Sequence, residues 1–223
     1  MMARNKFPEE TIHKILDVSY RLFSTKGYEN TSIQDVVDEL GLSKGAIYYH
    51  FKSKEDILER LYDRLYQGQD WYLDIKRDTT RNGLQKLEQI FRLQLQDDEK
   101  VSLDAAALSY TCDARMIMET IRTSVDDTAP LLAALIEEGN QDGSLCVEYP
   151  REAAEVMILL INVWINPGLF PVEKDRFMNK ILCYQQCLDG LGLPVITEEL
   201  LETASRYYDI VMASRSADTS PQP

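Results

Sequence analysis

The sequence predicts an all-α fold, and three observations carry that expectation. Only 10 glycines and 8 prolines interrupt 223 residues, too few for a chain of strands and tight turns. Leu, Ile, Glu, Lys and Ala run in long uninterrupted stretches that favour helices. Apolar side chains return every three or four residues through most of the chain, the period of a helix with one buried face. With 44% hydrophobic and 27% charged residues, the chain has enough apolar material to bury a sizeable core and is not a disordered polymer.

The first helix starts near Pro8, where a missing amide costs nothing, with Glu9 and Glu10 at its positive end. Ile12, Ile15, Leu16, Leu22 and Phe23 form its inner stripe, and Gly27 ends it after about twenty residues. Thr31-Ser32-Ile33-Gln34 has the form of a capping box, with Thr31 covering backbone donors and Gln34 reaching back. A second helix follows to about Leu40 on the stripe Ile33, Val36, Val37 and Leu40. Gly41 permits a left-handed turn, Leu42 plugs the core and Ser43 caps a third helix of about eight residues with Ile47 and Phe51 inward. Ser53-Lys54-Glu55-Asp56 is a second capping box and opens a long fourth helix carrying Ile57, Leu58, Leu61, Tyr62 and Leu65. Two helices joined by a short glycine turn and braced on either side form a helix-turn-helix unit.

The remainder predicts a larger helical body. Leu84, Leu87, Ile90, Phe91 and Leu95 mark one helix, and a further helical region spans about 102 to 124. Pro130 lies near the start of the next, which carries Leu131, Leu132, Leu135 and Ile136 and ends at Gly139 and Gly143. Residues 151 to 166 are apolar nearly all round, so several sides should be covered, and Pro167-Gly168 breaks the run. Phe177, Met178, Ile181, Leu182 and Leu188 mark another helix. Leu200, Leu201, Ala204, Tyr207, Tyr208 and Val211 mark the last, before a polar tail at 216 to 223 that reads as disordered.

Charge narrows the function classes. The formal net charge is −13, but residues 1 to 54 carry +1 and the rest −14. A body this acidic cannot bind nucleic acid generally, so any such contact must be local to the N-terminal part. The longest apolar stretch, Ala153 to Ile165, is thirteen residues and contains Glu155 and Asn162, too short for a membrane span. The N-terminus lacks the apolar core of a signal peptide, and a cytoplasmic location is expected. Cys112, Cys146, Cys183 and Cys187 show no CxxC and no nearby histidine to complete a metal set, and read as reduced core thiols. The four-residue spacing of Cys183 and Cys187 puts them on one helical face and also permits a redox or thiol-sensing role. No cofactor and no metal are expected, and there is no nucleotide loop, HExxH or GxSxG to support an enzyme.

Once Ile47 and Phe51 are committed inward, the third helix presents Lys44, Gly45, Tyr48 and Tyr49, with His50 nearby. A lysine donates to guanine acceptors or phosphate, tyrosine hydroxyls donate to phosphate oxygens, and Gly45 and Ala46 let the backbone approach a groove floor. The second and fourth helices begin at Thr31 and Ser53, where unpaired amides can hold phosphate, with Lys54 at one of these ends.

The run from Thr31 to Leu58 resembles the DNA-binding signature of the TetR family of transcriptional regulators. Its most diagnostic part is Gly41-Leu42-Ser43-Lys44-Gly45 leading into Ile47-Tyr48-Tyr49-His50-Phe51, then Lys54-Glu55. The likeness extends over about residues 8 to 65. It departs at Val37 and Leu40, where the family often has alanines. The resemblance implies that Thr31, Ser32, Gln34, Tyr48, Tyr49, His50 and Lys54 grip the DNA backbone, while Lys44, Gly45 and Ala46, entered by the cap Ser43, approach base edges. It implies a DNA-binding domain over residues 1 to 54, joined through the fourth helix to an effector-binding and dimerisation domain over 55 to 215. The implied partners are a palindromic double-stranded operator, a second copy of the chain and an unknown small-molecule effector, with no membrane.

The apolar helices near 151 to 166 and 174 to 190 carry more hydrophobic surface than one subunit hides, which suggests a four-helix interface between two chains. Two reading helices about 34 Å apart would then meet successive major-groove faces. Trp71, Tyr72, Tyr110, Met116, Asn162 and Trp164 are the bulky or amphipathic candidates for an effector cavity. The expected function is a ligand-responsive repressor. An effector-independent regulator, an activator, or a helical enzyme or ligand-binding protein in which 31 to 58 is structural remain the alternatives.

Overall fold

The computed structural model describes residues 8–66, 71–96, 98–107 and 114–218, and every regular element among them is helical. The N-terminal helices are α1 Pro8–Lys26, α2 Ile33–Leu40, α3 Lys44–His50 and α4 Lys54–Tyr66. The body holds α5 Trp71–Arg77, α6 Gly83–Gln96, α7 Asp98–Ala106, α8 Ala114–Thr123, α9 Ala129–Asp142, α10 Pro150–Leu159, α11 Lys174–Gly190 and α12 Glu198–Asp218. No helix among the described residues is long and apolar enough to cross a membrane.

Two apolar cores organise these elements. The first gathers Ile15, Leu16 and Phe23 of α1, Val36 and Val37 of α2, Ile47 of α3, Phe51, and Ile57, Leu58 and Leu61 of α4. It also takes Leu103, Ala106 and Ala107 from the end of α7, a contribution from the body that the local sequence pattern does not announce. Each fully buried Leu, Ile or Phe favours the folded state by about 1.5–3 kcal/mol, so α7 is a structural part of the N-terminal unit. The second core lies in the body, where α9 packs on α6 and α10, and α12 packs on α6, α7 and α11.

The turn between α2 and α3 follows from Gly41, which takes φ +64° and donates its N–H to the Val37 carbonyl oxygen. That backbone region is closed to most side chains. Leu42 then packs half-buried against the first core, and Ser43 caps α3 by accepting from the Ala46 amide at 3.2 Å.

Several expectations are corrected. The cap of α2 is Ser32 paired with Asp35, each accepting from the other's backbone amide, and not Thr31 with Gln34. The region from 102 to 124 is not one helix: α7 ends at Ala106, and α8 begins at Ala114. Pro130 does lie in the first turn of α9, as expected, but α9 has no free start, because α8 runs through a π turn, Ser124–Thr128, directly into it. The proline ring would clash with the carbonyl four residues back, and the wider turn, in which the Ala129 amide donates to Ser124, absorbs the conflict. Gly139 lies inside α9, which ends at Gly143 with φ +81°. α12 runs three residues into the expected tail, to Asp218, and 219–223 lie outside the described residues. Cys146, Cys183 and Cys187 are exposed rather than buried in the core; Cys112 lies outside the described residues.

Candidate nucleic-acid interface

The face that α3 presents is decided by what it buries. Ile47 and Phe51 are sealed in the core at 0% and 1% exposure, which turns Tyr48 (48%) and Tyr49 (81%) outward. An aromatic ring left that open contributes almost nothing to the fold and is available for contact from outside. Ser43, Lys44 and Gly45 are exposed, and Ala46 and His50 half-buried. The Tyr49 and His50 rings meet edge to face at 4.9 Å and 86°. Around Gly45 the only atom a Cβ would meet is the Ser43 Oγ, at 3.9 Å. The fold therefore does not require glycine there, and the missing side chain leaves the backbone open to approach from outside.

Gln34 is exposed on α2 with its side-chain amide donating to Asp38 at 2.8 Å. Lys52, in the turn between α3 and α4, is also exposed and adds a cation directly after α3 that the motif reading left out; its place between two capped helices is the signal that could have found it. Arg21 and Lys26 are engaged with Glu39 and Asp35 of α2, each at 2.6 Å, which leaves Lys44 and Lys52 as the exposed cations of the α3 face.

Three expected contacts are placed differently. Thr31 is buried at 2% and its hydroxyl donates to the carbonyl oxygens of Gly27 at 2.8 Å and Leu22 at 3.3 Å, so it fastens the turn after α1 instead of facing a ligand. Ser32 is exposed, but its hydroxyl donates to Asp35 at 2.6 Å and receives the Asp35 amide. Lys54 is folded inward: its ammonium donates to the Tyr28 carbonyl oxygen at 2.7 Å and sits 4.0 Å from the centre of the Tyr28 ring. It braces α4 against α1.

The helix N-termini already hold their own carboxylates. Asp35 accepts from the Ser32 amide at 2.7 Å, and the hydrogen bond from Lys26, followed by those from Ser32, holds its pKa well below the carboxylate range. At α4 the Asp56 carboxylate accepts from the Lys52 amide at 2.7 Å. Glu55 is held below its usual range, first by the Ser53 hydroxyl and then by its own backbone amide. A phosphate at either end would meet a fixed negative charge. The α3 face, whose N-terminus carries only the neutral Ser43 cap, has no such obstacle.

The effector candidates divide. Tyr110 and the side chain of Trp71 lie outside the described residues. Tyr72 on α5 donates its hydroxyl to the Leu131 carbonyl oxygen at 2.9 Å, and its pKa is raised by partial burial and by nearby Glu138. Asn162 donates to Ser124 at 3.1 Å, tying the π turn Leu160–Trp164 to the π turn before α9. α8, which carries Met116, packs on that same segment. Met116, Asn162 and Trp164 thus lie on elements that touch, whereas Tyr72 reaches α9 from the α5 side. Two open surface depressions, one of about 520 Å³ between α11 and α12 and one of about 400 Å³ near Arg81 and Arg92, include none of the six. Among the described residues no group of three or more His, Cys, Asp or Glu side chains could hold a metal ion.

Comparison with known proteins gives a consistent result. Residues 15–61 match the family described as bacterial regulatory proteins, tetR family, and residues 109–187 match the tetracyclin repressor-like C-terminal domain. The transcriptional repressor KstR2 of Mycobacterium tuberculosis is 34% identical over 173 residues, 70% of this chain and 81% of that protein. The transcriptional regulator AcrR of Shigella flexneri is 42% identical over 64 residues, 28% of this chain; that stretch spans only 30% of AcrR. A TetR-family regulator from Pectobacterium atrosepticum superposes with a TM-score of 0.58 at 18% identity, covering 86% of this chain and 98% of that one, a likeness of fold. The matched family and these relatives regulate transcription and are not enzymes.

Proposed function

We propose, for a chain that belongs to the TetR family of bacterial transcriptional regulators, that it works as a homodimeric repressor released from a palindromic operator by a small-molecule effector. The observation that carries this reading is the division of α3, with Ile47 sealed inside and Tyr49 four-fifths exposed beside Lys44 and the open Gly45. Tyr48, Tyr49, His50 and Gln34 grip phosphates and sugars from this face, while Lys44, Gly45 and Ala46 meet base edges. The repressor sense is supported by the similarity to KstR2, which is named a transcriptional repressor.

A second copy supplies what one short helix lacks. Val156 on α10 and Leu182 on α11 are large apolar residues left exposed in the single chain, and an isologous contact over this face would cover them and pair the two readers. Effector binding in the body then acts as a population shift. It favours a form in which α4 and α7, both built into the N-terminal core, hold the reading helices at a spacing the operator does not fit. A hundredfold loss of operator affinity requires coupling of about 2.7 kcal/mol, within the usual range for such switches.

The test is a mobility-shift assay on DNA flanking the chain's own coding sequence, run with and without cell extract. A salt-sensitive shift that extract weakens supports the repressor reading. A shift indifferent to extract points to an effector-independent regulator, and no shift on any flanking fragment overturns the assignment of α3 as the reader.

A further inference from the structure

Cysteine is among the residue types most often buried, yet Cys183 and Cys187 are both exposed free thiols on α11. They stand one helical turn apart on one side of the helix. The Cys187 thiol is held above its usual range, first by desolvation and then by the neighbouring Cys183. The opposite side of α11 is committed to the core through Phe177, Ile181, Tyr184 and Leu188. The thiol side continues as an exposed stripe through Asn179, Gln186 and Gly190, and nothing lies within 4 Å of a Cβ built on Gly190.

We propose that Cys183 and Cys187 form half of a tetrahedral thiolate site for a soft divalent ion of the zinc type, completed by the same two residues of a second chain. The proposal rests on the homodimer reading with α11 at the twofold axis. Zinc–sulfur bonds of about 2.3 Å at a tetrahedral angle place two sulfurs roughly 3.8 Å apart, a separation within reach of two side chains one helical turn apart on the same face. One chain alone offers too few donors, in keeping with the lack of a three-ligand cluster among the described residues; a twofold axis beside the pair doubles them to four. Arg176 lies exposed within two turns on the same side of α11 and suits the negative charge that four thiolates around a divalent ion retain. Binding the ion releases the thiol protons and joins the subunits at the interface. Because the ion binds only the dimer, it lowers the dimer dissociation constant about tenfold when its free concentration is about ten times its own dissociation constant.

The experiment titrates the full chain, kept reduced, with cobalt(II) and then displaces it with zinc(II), while sedimentation records the mass. The expected result is a thiolate charge-transfer band with tetrahedral cobalt absorption, saturating at one ion per two chains. The band disappears in the Cys183→Ser, Cys187→Ser double variant and persists in the Cys112→Ser, Cys146→Ser control. Saturation at one ion per chain, or a band that survives the Cys183 and Cys187 substitutions, overturns the shared site. A metal-free dimer that develops no band also overturns it and leaves the homodimer reading standing, whereas a monomer at every metal concentration sinks the homodimer and the shared site with it.

Discussion

The backbone amide of Tyr28 donates to the carbonyl oxygen of Ala106 across 3.0 Å, joining the turn after α1 to the last residue of α7. The end of a helix leaves carbonyl oxygens unpaired, and here one is satisfied by the DNA-binding unit. The Tyr28 carbonyl oxygen accepts the Lys54 ammonium from α4, and its ring meets Phe23 of α1 edge to face at 5.1 Å. Tyr62 of α4 adds a hydrogen bond to Asp104 of α7 at 3.2 Å. The helices α4 and α7 therefore link the reading unit to the body, and α7 is tied to α1 both through Tyr28 and through Leu103, Ala106 and Ala107 in the shared core.

Lys54 offers the first test of that junction. Lys54→Ala leaves the buried Tyr28 carbonyl oxygen without this donor and removes the cation over the ring. The Thr31 amide still donates to that oxygen at 3.2 Å, so the hydrogen-bond loss costs about 0.5–1.5 kcal/mol and the cation–π loss about 0.5–2 kcal/mol. The urea midpoint should fall with the slope unchanged, in the absence of DNA. Unchanged stability together with weakened operator binding would return Lys54 to the phosphate-gripping role its motif implies.

Tyr49 and Lys44 should behave in the opposite way. Neither is buried, so Tyr49→Ala and Lys44→Ala should leave helicity, dimer mass and unfolding midpoint within about 0.5 kcal/mol of the parent while abolishing operator binding. A residual complex of Lys44→Ala should lose sequence discrimination, by about 1–3 kcal/mol at the position that Lys44 reads, with its salt dependence little changed. Retained, salt-sensitive operator binding by both variants would contradict the assignment of the reading face.

Local signals made the N-terminal unit legible, because they are written in neighbouring residues: Gly41 at the turn, Ser43 as cap, Ile47 and Phe51 at helical spacing. The same locality misled at Thr31, which satisfies a capping pattern yet is buried by its packing against the end of α1. Ser32 and Asp35, equally well spaced, take the cap instead. Lys54 could not be placed from sequence, since its partner lies 26 positions away. The split between α7 and α8, the docking of α7 into the first core and the π turn that accommodates Pro130 all depend on long-range packing. Cys183 and Cys187 were correctly placed on one face, but the period of α11 does not say which face is covered.

Gly83 and Gly139 test how closely α6 and α9 approach. A Cβ on Gly83 would lie 2.3 Å from the Gly139 backbone nitrogen and 2.7 Å from the Leu135 carbonyl oxygen, against backbone that cannot rotate away. Gly83→Ala should therefore cost about 1–3 kcal/mol or more, although alanine alone favours helix over glycine. Thermal unfolding followed by circular dichroism reads the loss, and a variant as stable as the parent would show that the helices can separate freely at this crossing.

Asp35 predicts how the reading unit responds to acid. Its carboxylate is held ionised by Lys26 and Ser32, with a folded-state pKa depressed from the ordinary 3.8. A depressed acid contributes stability that is fully present above its unfolded value and is lost as pH falls from there toward the folded one. The Lys26–Asp35 pair is partly exposed, so the contribution is modest and screened by salt. Asp35→Asn keeps an oxygen for the Ser32 amide and removes the charge. Between about pH 5 and pH 2 the variant should lose less stability than the parent, and the difference should shrink in about 1 M salt as the screening length falls to about 3 Å. Parallel acid-unfolding curves for the two proteins at low salt would show that this carboxylate is not coupled to folding.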